Sequence, residues 1–181
     1  MSIDAMIEAT IGKEGGYSDH PNDKGGPTCW GITQAVARAN GYTGDMKFLP
    51  RDKAVAIYRN EYLIKPGFAA VAELSERIAE ELFDTGVNMG QSVPILWLQQ
   101  WLNAFNFGGK LYPDIPEAGG IGPKTLGALR AFLVSRGKQD GEAVMLRGLN
   151  CSQGQRYLEL ARGRMANESF VFGWLRTRVN L

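Results

Sequence analysis

A mainly α protein, with a short β-hairpin or irregular glycine-rich loop near the N-terminus, is what the sequence predicts. Three observations carry that expectation. Apolar residues recur at three- and four-residue spacing along most of the 181-residue chain. Glycine and proline punctuate those stripes at short intervals. Residues 14–33 stand apart, with paired glycines set among acids, hydroxyls and aromatics. A balance of 44% hydrophobic to 22% charged residues belongs to a folded globular chain rather than a disordered one. The length suffices for one sizeable core or two small lobes, and one compact unit is expected.

Each element follows from local signals. Ser2 is placed to cap a first helix in which Ile3, Met6, Ile7, Thr10 and Ile11 share one face, and Gly15-Gly16 ends it. A second helix starts at Thr33 and stops at Gly41. A third runs from Pro50 to Tyr62, beyond which Lys65-Pro66-Gly67 forbids continuation. Ser75 opens a fourth through Ile78, Leu82, Phe83 and Val87, stopping near Gly90. Ser92-Val93-Pro94 opens a fifth that carries Leu98, Trp101, Leu102 and Phe105. The glycine- and proline-rich stretch from Phe107 to Gly122 reads as a long surface loop. It feeds a helix beginning at Pro123 and ending before Gly137, and Asp140 is expected to cap another long one. The apolar tail Phe170-Val171-Phe172-Gly173-Trp174-Leu175 is expected to pack back on the body.

Charge narrows the range of partners. The formal net charge is +1, which gives no electrostatic case for nucleic acid. The halves differ: residues 1–90 carry 9 Lys and Arg against 13 Asp and Glu, a balance of −4, and residues 91–181 carry 11 against 6, a balance of +5. Arg156, Arg162, Arg164, Arg176 and Arg178 fit either a solvated helix face or attraction to an anionic outer envelope. Cys29 and Cys151 give neither a disulfide framework nor a metal spacing, and two buried free thiols are expected. The first residues lack a basic n-region and an unbroken apolar h-region, so no signal peptide is expected.

The segment from Glu14 to Thr33 concentrates the chemistry. Glu14 ends the first helix, where the negative pole of the macrodipole and any burial favour the protonated form of a carboxyl, as a general acid requires. Asp23, nine residues on, follows glycines that allow the chain to fold back toward Glu14. Glycoside hydrolysis needs such a pair: one carboxylic acid to protonate the leaving oxygen, and one carboxylate to activate water or stabilise a positive sugar. Thr28 is suited to hold that water. Tyr17 and Trp30 offer flat faces to sugar rings, with Gly31 and Thr33 beside them as further substrate-binding candidates. Ordinary roles fit each residue too: a solvated helix-end Glu, a turn-forming Asp, core aromatics and capping threonines. Asp19, His20 and Asp23 match no EF-hand or zinc spacing, and no metal or cofactor is expected.

The strings Glu-Gly-Gly-Tyr (14–17), His-Pro-x-Asp-x-Gly-Gly-Pro-Thr (20–28) and x-Trp-Gly-Ile-Thr (29–33) resemble the N-terminal part of glycoside hydrolase family 108, which includes phage endolysins and proteins once labelled secretion activators. That resemblance implies a lysozyme-like helical fold, N-acetylmuramidase activity on peptidoglycan, and Glu14 as the catalytic acid. The acid, acid, threonine order is also similar to that of phage-type lysozymes, which implies roles for Asp23 and Thr28, although the second gap is one residue shorter here. Phe83–Gly90, Trp97–Asn103, Gly120–Leu126 and Gly173-Trp174 resemble the predicted peptidoglycan-binding part that follows the catalytic part in this family. Ala118-Gly119 departs from it, since an acidic residue often precedes the Gly-x-x-Gly-Pro-x-Thr string there. Asn88 is expected to line the cleft, or simply to end a helix.

The resulting organisation is a catalytic region at 1–91 and a helical peptidoglycan-binding region at 92–181, acting as a monomer on bacterial peptidoglycan. Synthesis in the cytoplasm and release to the cell wall by a holin complete the expectation. Two alternatives stand beside it: a lytic transglycosylase on the same bond and a non-catalytic cell-wall binding protein. A regulator of secretion has only the family's older label behind it.

Overall fold

The computed structural model describes residues 3–14, 16–19 and 26–179, with Lys13 and Glu14 described for backbone only. It is mainly α, with one small sheet near the N-terminus, and it comprises two compact units, residues 1–65 and 66–181.

The first unit opens with α1 (Ile3–Glu14), whose Ile7 and Ile11 are fully buried as the apolar stripe requires. The proposed cap Ser2 lies outside the described residues. The glycine-rich segment forms a three-stranded antiparallel sheet, β1 (Tyr17–Ser18), β2 (Thr28–Cys29) and β3 (Ile32–Thr33), in that order. Trp30 and Gly31 make the turn between β2 and β3 with φ of 55° and 74°. Positive φ at both central residues is the geometry that matches the twist of a tight hairpin, and it is strained for a residue as bulky as tryptophan. Two long-range bonds hold Trp30 there: its indole Nε1 donates to the Leu49 carbonyl at 2.9 Å, and the Trp30 carbonyl accepts from the Tyr58 hydroxyl at 3.2 Å.

α2 (Gln34–Ala39) starts at Thr33, whose hydroxyl accepts from the Val36 amide at 3.4 Å, and ends before Gly41 at φ 78°. α3 (Arg51–Tyr58) begins after Pro50 and runs into one π-helical turn, Arg59–Ile64. The expected single helix to Tyr62 therefore changes register after Tyr58, which periodicity does not reveal. The unit's core includes Ile7, Ile11, Cys29, Ile32, Met46, Leu49, Ile57 and Tyr58.

The second unit contains α4 (Phe68–Ala72), α5 (Glu76–Met89), α6 (Ser92–Phe105), α7 (Pro123–Arg136), α8 (Lys138–Gly163) and α9 (Glu168–Arg178). The 26-residue α8 packs against α5, α6, α7 and α9. Ser75 caps α5 by accepting from the Ile78 amide at 3.2 Å, as its position predicts. Gly148 lets Trp101 lie against α8: a Cβ there would meet the indole at 2.9 Å. The same indole donates to Ser152 Oγ at 3.0 Å.

Residues 107–122 form no helix or strand, yet side chains take up their backbone groups. Asn103 clamps Ile115 through both main-chain atoms, at 3.0 and 2.9 Å, and Gln99 accepts from Gly119 and donates to the Gly120 carbonyl.

Three expectations need correction. Gly137, not Asp140, occupies the cap of α8, because the positive φ that separates α7 from α8 favours glycine; Asp140 sits in the first turn, where its charge suits the helix dipole. Cys151 is exposed on the surface of α8, and only Cys29 is a buried thiol, pushed up in pKa by that burial. The tail packs back only in part. Trp174 stacks on Tyr157 at 5.1 Å and Arg178 reaches Asp84 at 2.9 Å, but Phe172 stays 76% exposed on the outer side of α9.

Candidate active site

The candidate site starts where α1 ends. Glu14 is the last residue of that helix. Its side chain, like the whole of His20 and Asp23, lies outside the described residues.

From there the sheet arranges the other candidates. Cross-strand partners share a face, and successive residues alternate. Ser18, Thr28 and Thr33 are paired across the three strands and so form a row of hydroxyls on one face; Tyr17, Cys29 and Ile32 form the row on the other. Cys29 and Ile32 are buried, so the second row is the one joined to the core. Tyr17 and Thr28 are thereby kept on opposite faces. Ser18 is the addition that sequence reasoning missed; the strand register that puts it beside Thr28 is not written in any short motif.

Thr28, Thr33, Tyr17 and Trp30 each have a local partner. Thr28 Oγ1 donates to the Gly26 carbonyl at 3.0 Å, leaving its lone pairs free to accept. Thr33 serves as the α2 cap, so one of its lone pairs is engaged. Tyr17, 37% exposed, donates its hydroxyl to Asp19 at 3.1 Å, and the Lys47 ammonium stands 5.4 Å from its ring centre. Trp30 is half-buried with its N–H committed to Leu49, so only its ring face is left for a ligand. Gly31 supplies the second left-handed turn position.

Asn88 belongs to the second unit. It is exposed near the end of α5 and accepts a hydrogen bond from the Tyr157 hydroxyl at 3.2 Å. Below it a buried polar seam joins α5 to α8. Asn150 donates to Glu81, Thr85 donates to Glu81, and Gln153 donates to Thr85 at 3.0 Å. Burial foremost, then the neighbouring charge of Asp84, raises the Glu81 carboxyl to about 7. The sequence carried only a faint signal for it: Glu81 is three residues after Ile78 and four before Thr85, beside the stripe that faces inward.

Among the described residues no three His, Cys, Asp or Glu side chains cluster in a way that holds a metal ion. No helix among them is long and apolar enough to cross a membrane.

Comparison with known proteins adds to this geometry. Residues 7–90 match the family described as Glycosyl hydrolase 108, and residues 93–179 match the family described as Predicted Peptidoglycan domain. A solved structure, that of Brucella abortus SagA, is similar with a TM-score of 0.63 and 26% identity, over 95% of this chain and 86% of that one. No curated protein matches at a significant level. Helices on most of the described chain, with a small antiparallel sheet after the first, give a mainly α, lysozyme-like fold, and the two family matches support a glycoside hydrolase that acts on peptidoglycan. The region 7–90 belongs to the glycosyl hydrolase 108 family, and a predicted peptidoglycan domain follows it at 93–179.

Proposed function

We propose that the protein is an endolysin with N-acetylmuramidase activity, hydrolysing the β-1,4 bond between N-acetylmuramic acid and N-acetylglucosamine with Glu14 as general acid. One observation carries the reading: α1 ends at Glu14 and the three-stranded sheet begins at Tyr17, both within the residues that match the glycosyl hydrolase 108 family. A carboxyl at the negative end of a helix holds its proton more readily than one in water.

In this reading Glu14 hands that proton to the glycosidic oxygen as the bond to the muramic acid carbon breaks. Asp23 supplies a carboxylate that acts on the attacking water or on the oxocarbenium-like transition state, and Thr28 holds the water. Tyr17, Trp30, Gly31, Thr33 and Asn88 contact substrate. Residues 1–91 carry the chemistry and 92–181 hold the wall, as a monomer reaching its substrate after holin-mediated release.

Mass spectrometry of the fragments released from purified peptidoglycan tests the proposal. Fragments ending in a reducing muramic acid are expected. An anhydro end, lighter by one water, identifies a lytic transglycosylase instead, and wall binding with no soluble fragments identifies a non-catalytic binder.

A further inference from the structure

We infer that a cavity in the second unit is a subsite for the stem peptide of peptidoglycan. The inference rests on peptidoglycan being the substrate, and it names a part of that polymer which the glycosidic chemistry does not use.

The cavity measures about 330 Å³ and lies among the turn after α4, the last turns of α7 and the start of α8. Leu74, Leu133 and Val134 give it an apolar lining, and Val134 is 79% exposed. Three charged side chains stand around that lining: Glu73, Arg130 and Lys138. None of the three has an ion-pair or hydrogen-bond partner for its charged group among the described residues. Two cations and one anion are thus grouped over exposed apolar surface, and none of them is held in an ion pair among the described residues.

Peptidoglycan offers the complementary pattern in one place. A stem peptide is joined to muramic acid through its N-terminus as an amide, so that end is uncharged. What remains on an uncrosslinked tetrapeptide containing lysine is the carboxylate of its D-glutamyl residue, the carboxylate of its terminal D-alanine and one ammonium. Arg130 and Lys138 suit the two carboxylates, Arg130 with a planar fork that can take both oxygens. Glu73 suits the ammonium, and the alanine methyls suit Leu74, Leu133 and Val134. The volume is at the small end of the range for ligand clefts, roughly 300–1,000 Å³, which fits a short peptide end. The glycan strand is a poor match, since its hydroxyls and amides carry no such charges and no aromatic ring lines the cavity for a sugar to stack on.

Calorimetric titration of the full chain with N-acetyl-L-alanyl-γ-D-glutamyl-L-lysyl-D-alanine tests this. Saturable binding is expected, and the double variant Arg130→Glu, Lys138→Glu is expected to weaken it by at least about tenfold, as loss of charge-assisted bonds does. Lys124→Glu, on the exposed first turn of α7 and outside the cavity, should change the affinity by less than about twofold. Absence of binding by the parent chain, or equal losses in the double variant and in Lys124→Glu, overturns the inference. Release of reducing ends from intact cell wall by the same preparation separates the two readings. Wall cleavage without peptide binding sinks the subsite alone, whereas peptide binding without wall cleavage supports the subsite and sinks the muramidase reading.

Discussion

Asn150 on α8 donates its side-chain amide to the buried carboxyl of Glu81 on α5 at 3.2 Å, and so joins two helices of the second unit through a group that titrates near neutrality. The amide of Asn150 and the hydroxyl of Thr85 favour the charged form, but burial and the nearby Asp84 outweigh them. Glu81 ordinarily titrates at 4.5 and in the folded protein at about 7. Between those values the folded state binds the extra proton. Stability is therefore fully present below pH 4.5 and is lost as pH rises through 7. The loss is at most on the order of 3 kcal/mol, from the usual worth of a pKa unit.

Glu81→Gln keeps the shape and removes the charge. It should leave urea stability nearly unchanged at pH 5, raise it by about 1–3 kcal/mol at pH 8, and flatten the pH slope between them. Denaturation curves at the two pH values check this; a variant less stable than the parent at pH 8 contradicts the assignment.

The β2–β3 turn depends on what holds Trp30 in its strained conformation. Tyr58→Phe removes the hydroxyl that donates to the Trp30 carbonyl and should cost about 1 kcal/mol. Gly31→Ala adds a Cβ at φ 74° and should cost roughly 1–2 kcal/mol. Thermal melting of both variants measures these costs; if Gly31→Ala melts with the parent, the left-handed turn is wrong.

Gly148→Ala places a Cβ 2.9 Å from the Trp101 indole, so the ring must shift and strain its bond to Ser152. A loss of roughly 1–3 kcal/mol is expected from overpacking of this kind. Tryptophan fluorescence followed through unfolding gives both the stability and the altered ring environment.

Arg162, Arg164 and Arg176 are exposed, whereas Arg178 is tied to Asp84 and Arg156 to Glu159. If the free arginines draw the protein to an anionic envelope, retention on such membranes should fall steeply between low and high salt and be lost when all three become Gln. Cleavage of soluble fragments should change little. Salt-independent retention means that the arginines only solvate their helices.

Much of the helical frame was legible in the sequence because its signals are local. Ser75, Thr33 and Pro123 sit at helix starts, Gly41 and Gly137 just past helix ends, and Ile7 and Ile11 face inward as their spacing requires. What was not legible depends on contacts between distant residues. The π-helical turn after Tyr58 and the burial of Glu81 against α8 leave at most a faint mark on nearby sequence. The hydroxyl row of Ser18, Thr28 and Thr33 depends on strand register, which the glycine-rich segment specifies weakly. Glu14 and Asp23 came from motif order rather than from pattern, and their roles belong to the proposed mechanism.

The proposed chemistry turns on Glu14, and the most direct measurement is the rate at which reducing ends appear from purified peptidoglycan with the parent chain and with Glu14→Gln, both shown to be folded by circular dichroism. A fall of roughly 10²- to 10⁴-fold is predicted, the usual worth of a general acid. A folded Glu14→Gln protein that releases ends at the parental rate contradicts it.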